Sequence, residues 1–123
     1  MQDFRKLLVW QKAHKLALRT YELTHDFPRD ELFGLRNMMR KSSIDIPAYI
    51  AEGCGKSSDA EFRRSIDAAM AVSMRLEYYA LMAHDLKFID DRSHASYEKD
   101  VIEVRQMMGG LNRRLSSAAT SHS

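Results

Sequence analysis

Apolar residues recur at helical spacing in four separate segments of this chain. These segments cover about residues 4–25, 30–52, 58–87 and 94–115. Short polar stretches separate them, as is typical of connections between neighbouring helices. Four amphipathic helices joined by short loops predict an all-α fold, an antiparallel up-down-up-down four-helix bundle. A three-helix array with a mobile fourth segment is the alternative.

The third and fourth segments carry the clearest core pattern. Their apolar positions are spaced alternately by four and three residues, which is the a/d seam of helix bundles. Ser58 and Glu61 have the spacing of a capping box, which marks the start of a helix. The predicted seam residues are Phe62, Ile66, Ala69, Ser73, Leu76, Ala80 and Ala83 in the third segment, and Tyr97, Val101, Val104, Met108, Leu111 and Leu115 in the fourth.

Helix-breaking residues are few, so each one carries information. Pro47 lies inside the second segment and predicts a kink or a broken turn, because proline lacks a backbone N–H donor. Gly53 and Gly55 are expected to end that helix. The segment after Leu115 contains no predicted core residue. The pattern therefore predicts one bundle domain over residues 1–115 and a disordered tail over residues 116–123.

The composition fits one globular domain that needs no disulfide or structural metal. The chain has 123 residues, of which 45% are hydrophobic and 29% charged. A single cysteine, Cys54, excludes an intrachain disulfide. The N-terminus lacks the apolar stretch of a signal peptide, and no window approaches the length of a membrane span. We therefore expect a soluble, cytoplasmic protein with no membrane contact.

The first and third helices have more apolar surface than one core face requires. A surface helix usually needs an apolar stripe of about 100°, whereas the first helix extends its stripe through a second, adjacent face. One interpretation is a wide core within one subunit. The other is packing against further copies, because exposed apolar patches mark interfaces. The residues predicted for a subunit interface are Trp10, Leu18, Tyr21, Met70, Met74 and Tyr78.

Cations form a line along the first helix. Arg5, Lys12, Lys15 and Arg19 fall within roughly 80° of one another on a helical wheel. The acids concentrate elsewhere along the chain, mainly between residues 85 and 103. Arrays of cations can neutralise phosphate backbones, although a solvated face would look the same. The residues predicted for nucleic-acid binding are Arg5, Lys12, Lys15, Arg19, Arg36, Arg40 and Lys41.

Three motifs resemble catalytic or metal sites but are incomplete. The segment at residues 53–57 resembles a phosphate loop, yet Ile50 stands where the first glycine is needed. Glu22 and His25 have the spacing of a di-iron motif, which needs a second copy and further glutamates. Cys54 has no base that the sequence can assign to it. We therefore predict no catalytic residues, no metal ligands and no cofactor.

Several motifs together resemble a known bacterial family. The residues that carry the resemblance are Leu8-Val9-Trp10-Gln11-Lys12-Ala13, Phe27-Pro28, Glu31, Gly34-Leu35, the run from Ile46 to Lys56, Ser58 and Glu61-Phe62-Arg63. They resemble the four-helix bundle family that includes 23S rRNA intervening-sequence proteins, and accessory proteins of diversity-generating retroelements are similar. The resemblance spans about residues 4–90. It departs from the family pattern at Tyr49 and in the run Arg40-Lys41-Ser42-Ser43.

The resemblance implies a ring-like homopentamer with a non-enzymatic role, and nucleic-acid binding for some members. The leading hypothesis is an oligomeric binding module that engages RNA, DNA or a nucleoprotein through its basic helix faces. The alternative is a purely protein-binding scaffold or a polymerase accessory subunit. An enzyme is the third hypothesis.

Overall fold

Four α-helices make up most of the protein. The computed structural model describes residues 2–31 and 34–121, with side chains described through residue 117. Over these ranges the chain contains no strand, which confirms the all-α prediction. The helices are α1 (Leu8–Leu23), α2 (Leu35–Cys54), α3 (Asp59–Asp85) and α4 (Asp91–Ser121).

The first two helices begin later than the periodicity predicted. Phe4–Lys6 forms a short 3-10 turn, and Leu7 then adopts an extended backbone that separates this turn from α1. A second 3-10 turn, Arg29–Glu31, precedes α2. The Glu31 carboxylate accepts a hydrogen bond of 2.8 Å from the Leu35 backbone N–H, so it caps the start of α2 from outside the helix.

Helix α2 differs from the prediction at two positions, one in its interior and one at its C-terminal end. The helix is continuous through Pro47, so the predicted broken turn is not observed there. Ile46 and Ile50, on either side of Pro47, are fully buried, and we attribute the continuity to this packing. Gly53 lies within the helix, and Gly55 alone forms its C-terminal cap.

The core lies between the four helices. Each helix contacts two neighbours: α1 and α3 each pack against α2 and α4. The α1–α2 edge therefore lies opposite the α3–α4 edge. All seven predicted seam residues of α3 are buried, as are those of α4 from Tyr97 to Leu111, whereas Leu115 is only partly buried. The start of α3 also fits its prediction, because the Ser58 hydroxyl accepts a hydrogen bond from the Glu61 N–H.

The last helix is longer than its core pattern. It runs through Gly109 and Gly110 without interruption and ends at Ser121, beyond residue 116, where the sequence pattern placed the start of a tail. Residues 122 and 123 of that predicted tail lie outside the described residues. None of the described helices is long and apolar enough to cross a membrane.

Candidate interaction surfaces

Two of the four cations of the predicted basic line are paired with acids of α4, and a third, Arg5, lies in the 3-10 turn before α1 and not on the helix. The Arg19 guanidinium forms an ion pair with Asp100 and donates a hydrogen bond of 2.9 Å to the Ser96 hydroxyl. Lys12 Nζ lies 3.5 Å from a carboxylate oxygen of Glu103. The sequence pattern placed these acids apart from the cations, because residue order does not reveal that α4 packs beside α1. The pairing reduces the positive potential of this face.

The other two cations of the line differ from each other. Arg5 Nη1 lies 3.4 Å from Asp3 Oδ1 in an exposed ion pair at the N-terminus. Lys15 is exposed and, among the described residues, has no ion-pair partner. Lys15 is therefore the cation of this line with the most charge available to a ligand.

Arg40 on α2 was predicted to bind nucleic acid, and it contacts Tyr21, which was predicted for a subunit interface. Its Nε donates a hydrogen bond of 2.8 Å to the Thr24 hydroxyl, and Nη2 donates one of 3.1 Å to the Tyr21 carbonyl. Its guanidinium also lies 4.4 Å from the centre of the Tyr21 ring, within cation–π range. A predicted nucleic-acid residue and a predicted interface residue thus belong to one surface.

Arg36 lies one helical turn from Arg40 and contributes a second cation. Its Nε is buried and has no hydrogen-bond partner in the described structure. Burial, and then the charge of Arg36, lower the pKa of Arg40. Neither guanidinium has a carboxylate within ion-pair distance among the described residues, whereas Lys41 is paired with Asp45 at 3.1 Å. This leaves two adjacent cations whose charge is not balanced.

Tyr21 and Ile44 line a cavity with Arg40, and Leu18 precedes Tyr21 by three residues on the same helix. Leu18 is 54% exposed and Tyr21 40%, and Ile44 of α2 is exposed by 44%. We call this surface the α1–α2 face and define it as Leu18, Tyr21, Arg36, Arg40 and Ile44. Ile44 was not among the residues predicted from sequence. It lies on the side of α2 away from the core, and that outward position in the helical pattern was the available signal.

Trp10 is less exposed than the other predicted interface residues of α1. Its indole is stacked on the His14 ring at a centroid distance of 4.9 Å and packs against Phe4. It is partly buried against the core. Among the predicted interface residues of α1, Leu18 and Tyr21 are therefore the two with the most exposed side chains.

A second exposed apolar surface lies on the opposite edge. Met74 is 54% exposed, Tyr78 55% and Leu81 43%, whereas Met70 is partly buried. Asp85 follows Leu81 by four residues and Tyr78 by seven, so it extends the same side of α3. We call Met74, Tyr78, Leu81 and Asp85 the α3–α4 face.

Titratable groups cluster where α3 ends and α4 begins. His84 Nε2 lies 2.6 Å from Asp91 Oδ1, and the His84 and His94 rings are stacked at 4.4 Å. The hydrogen bond with Asp91 raises the pKa of His84, with Asp85 adding to the effect. The segment from Asp85 to Glu98 carries four acids and two cations, so this end of the α3–α4 face has a negative balance.

Two of the motifs that resembled catalytic sites have a different local structure from those sites. Gly53 and Cys54 are helical, so this segment is not a phosphate-binding loop. Burial raises the pKa of the Cys54 thiol, which disfavours the reactive thiolate. Among the described residues, no three histidine, cysteine, aspartate or glutamate side chains converge as metal ligands would.

These observations define the chain as a four-helix, all-α protein with two exposed outer faces. The family model described as "23S rRNA-intervening sequence protein" matches residues 5–110. The chain therefore belongs to this family, and the resemblance indicated by its motifs is confirmed.

A solved structure supports the same fold. The chain is similar to a crystal structure of a protein of unknown function from the S23 ribosomal protein family of Bacteroides thetaiotaomicron. The two share 19% identity, with a TM-score of 0.77 over 85% of this chain and 98% of the other. A search of curated proteins gave no match.

Proposed function

We propose that the protein is a non-enzymatic, cytoplasmic binding module that assembles from several copies and engages nucleic acid through its basic helix faces. The observation that carries the proposal is the pair of exposed apolar faces on opposite edges of the protein. A subunit that worked alone would leave both faces in water, whereas self-association would bury them. The family description, which names the 23S rRNA intervening sequence, directs attention to nucleic acid as the ligand.

We also propose that the four helices alternate in direction as an up-down-up-down bundle. In three helix pairs, the contact partner moves backward along one helix as the position moves forward along the other, which supports this arrangement. The contacts are Lys12–Glu103 with Arg19–Asp100, Asp67–Asn112 with Glu77–Arg105, and Gln2–Cys54 with Tyr21–Arg40. The N-termini of α1 and α3 then lie at one end, together with the C-termini of α2 and α4.

The assembly is tested by molar mass in solution. Light scattering of the purified chain is expected to give a multiple of 14.2 kDa, with the pentamer that the family resemblance implies as the expected size. The measurement is repeated after nuclease treatment, because bound nucleic acid would add mass. A mass of one chain at micromolar concentration would refute self-assembly.

The nucleic-acid proposal is tested at Lys15. We expect Lys15→Glu to weaken binding of a single-stranded RNA or DNA, because this cation has no internal partner. The slope of log Kd against log salt should fall by about one for each phosphate that the variant no longer neutralises. Arg19→Glu is a poor test, because it would place a second carboxylate beside Asp100 and disturb the packing of α1 on α4.

A matched control separates a local effect from net charge. Lys99→Glu makes the same change at an exposed position of α4 that belongs to neither outer face. Binding should be nearly unaffected in this control when it is measured as fluorescence anisotropy in the same salt series. Equal weakening by the two variants would show a net-charge effect only, and no binding by the unmodified protein would refute the nucleic-acid proposal.

A protein partner is the second candidate function. The ion pairs of Lys12 and Arg19 with α4 favour it, because they leave less free positive charge for a phosphate backbone. Under this alternative the protein is a scaffold or a polymerase accessory subunit. Capture of one defined protein from nuclease-treated lysate, with no binding to RNA or DNA, would support it.

A further inference from the structure

We propose that the α1–α2 face of one copy docks on the α3–α4 face of a second copy, and that carboxylates at the end of α3 and the start of α4 supply partners for Arg36 and Arg40. This inference rests on the proposed self-assembly and specifies which surfaces meet. It assigns Arg36 and Arg40 to the interface between copies and leaves the α1 cations to a ligand.

The first argument is that both faces expose apolar side chains of similar character. Leu18, Tyr21 and Ile44 stand on one edge, and Met74, Tyr78 and Leu81 on the opposite edge. Tyrosine, methionine and arginine are enriched in protein interfaces relative to the rest of a protein surface. Burying these side chains against each other would remove both apolar surfaces from water in one interface.

The second argument is that the charges of the two faces are opposite. Arg36 and Arg40 have no carboxylate partner among the described residues, and one N–H of Arg36 is buried without a hydrogen bond. Glu22 and Asp26 line a cavity together with Arg36 and Arg40, but neither carboxylate lies within ion-pair distance of a guanidinium. On the other face, the side chain of Asp85 is 66% exposed, and that of Asp91, which lies beside this face at the start of α4, is 99% exposed. Both carboxylates contact the His84 ring within their own subunit and still present most of their surface to solvent. A guanidinium that gains a carboxylate forms a strong, directional pair.

The third argument is that these opposite charges lie at the same end of the subunit. Arg19, near the end of α1, contacts Asp100, near the start of α4. Arg40 contacts Tyr21 in the last turn of α1. Two copies placed side by side, without sliding along the helix direction, would therefore set the arginines of one beside the turn between α3 and α4 of the other. Leu18 and Ile44 would then approach Tyr78 and Leu81.

Because the two faces are different and lie on opposite edges, the interface is heterologous. Each copy keeps one face free after its first association, so the interface repeats until a ring closes. Isologous pairing of the α1–α2 face with itself would instead bring four unpaired arginines together. Charge repulsion disfavours that arrangement.

The test uses one blocking substitution on each face. Leu18→Asp blocks the α1–α2 face, and Tyr78→Asp blocks the α3–α4 face. Both positions are more than half exposed, so neither change places a charge in the core. We expect each variant alone to fall to the mass of a single 14.2 kDa chain in light scattering. An equal mixture should form a dimer of twice that mass and nothing larger, because each variant retains the face that is blocked in the other.

Two controls accompany this test. Leu8→Asp places the same charge on a leucine that is 61% exposed and belongs to neither face, and it should keep the mass of the unmodified protein. Thermal melts establish that each variant is folded. If the unmodified protein assembles but either blocked variant keeps its full mass, or the mixture fails to associate, the inference is wrong while the proposed function stands. A monomeric unmodified protein would overturn both.

Discussion

Replacing Gly53 by alanine is expected to destabilise the protein by up to about 2 kcal/mol, although alanine is the better helix former. Alanine in place of glycine inside a helix contributes about 1 kcal/mol of stability. At Gly53, however, a Cβ atom would lie 2.7 Å from a ring carbon of Phe62 and 3.1 Å from Cβ of Ser65. Both neighbours are buried, and overpacking of this kind costs about 1–3 kcal/mol. The steric cost is therefore expected to exceed the helix-propensity gain.

Gly110 offers a matched control with the opposite sign. It lies inside α4, where the nearest atoms to an added Cβ are arginine side-chain nitrogens at 3.8 Å. Gly110→Ala should therefore stabilise the protein by about 0.5–1 kcal/mol. Urea unfolding followed by circular dichroism gives both free energies, and the prediction is that their signs differ.

The steric cause can be isolated with a smaller partner. Phe62→Leu removes the ring that an alanine at position 53 would meet, so Gly53→Ala should cost less in that background. The difference between the two costs is the coupling energy of positions 53 and 62. Equal costs in both backgrounds would show that packing against Phe62 is not the reason for a glycine here.

The helical fold could be predicted from sequence because its determinants are local. Alternate spacing of four and three places Ile66 and Tyr97 on core faces, and both are fully buried. Helix ends were less predictable. Glu31 caps α2 from a separate 3-10 turn, and Pro47 is accommodated within a packed helix. Each of these outcomes depends on an interaction that periodicity does not contain.

The candidate surfaces could likewise be predicted where they depend on one helix and not where they depend on contacts between helices. Exposure of Leu18, Met74 and Tyr78 follows from apolar residues that lie beyond the seam, a feature of one helix at a time. The pairing of Arg19 with Asp100 joins residues 81 positions apart, so it depends on which helices become neighbours. The basic line was therefore visible in the sequence, whereas its partial neutralisation was not.

Thr20→Val is expected to destabilise the protein by about 1–3 kcal/mol, more than Tyr97→Phe, although both remove the same hydrogen bond. The two hydroxyl oxygens lie 2.6 Å apart, and both residues are fully buried. The Thr20 hydroxyl donates its own hydrogen to the Leu16 carbonyl at 2.8 Å, so Tyr97 must be the donor in the shared bond. Burial raises the pKa of Tyr97, which keeps this hydroxyl protonated.

The asymmetry follows from what each variant leaves behind. Valine at position 20 leaves the Tyr97 hydroxyl buried without an acceptor, and an unsatisfied buried donor costs about 1–3 kcal/mol. Phenylalanine at position 97 leaves Thr20 still bonded to Leu16, and the loss of one neutral hydrogen bond costs about 1 kcal/mol. Thr20→Val combined with Tyr97→Phe should be less destabilised than Thr20→Val alone, because no orphaned hydroxyl remains. Urea unfolding gives the free energy of unfolding of the two single variants and the double variant, which together form a double-mutant cycle. Additive losses of free energy would show that the two hydroxyls do not interact.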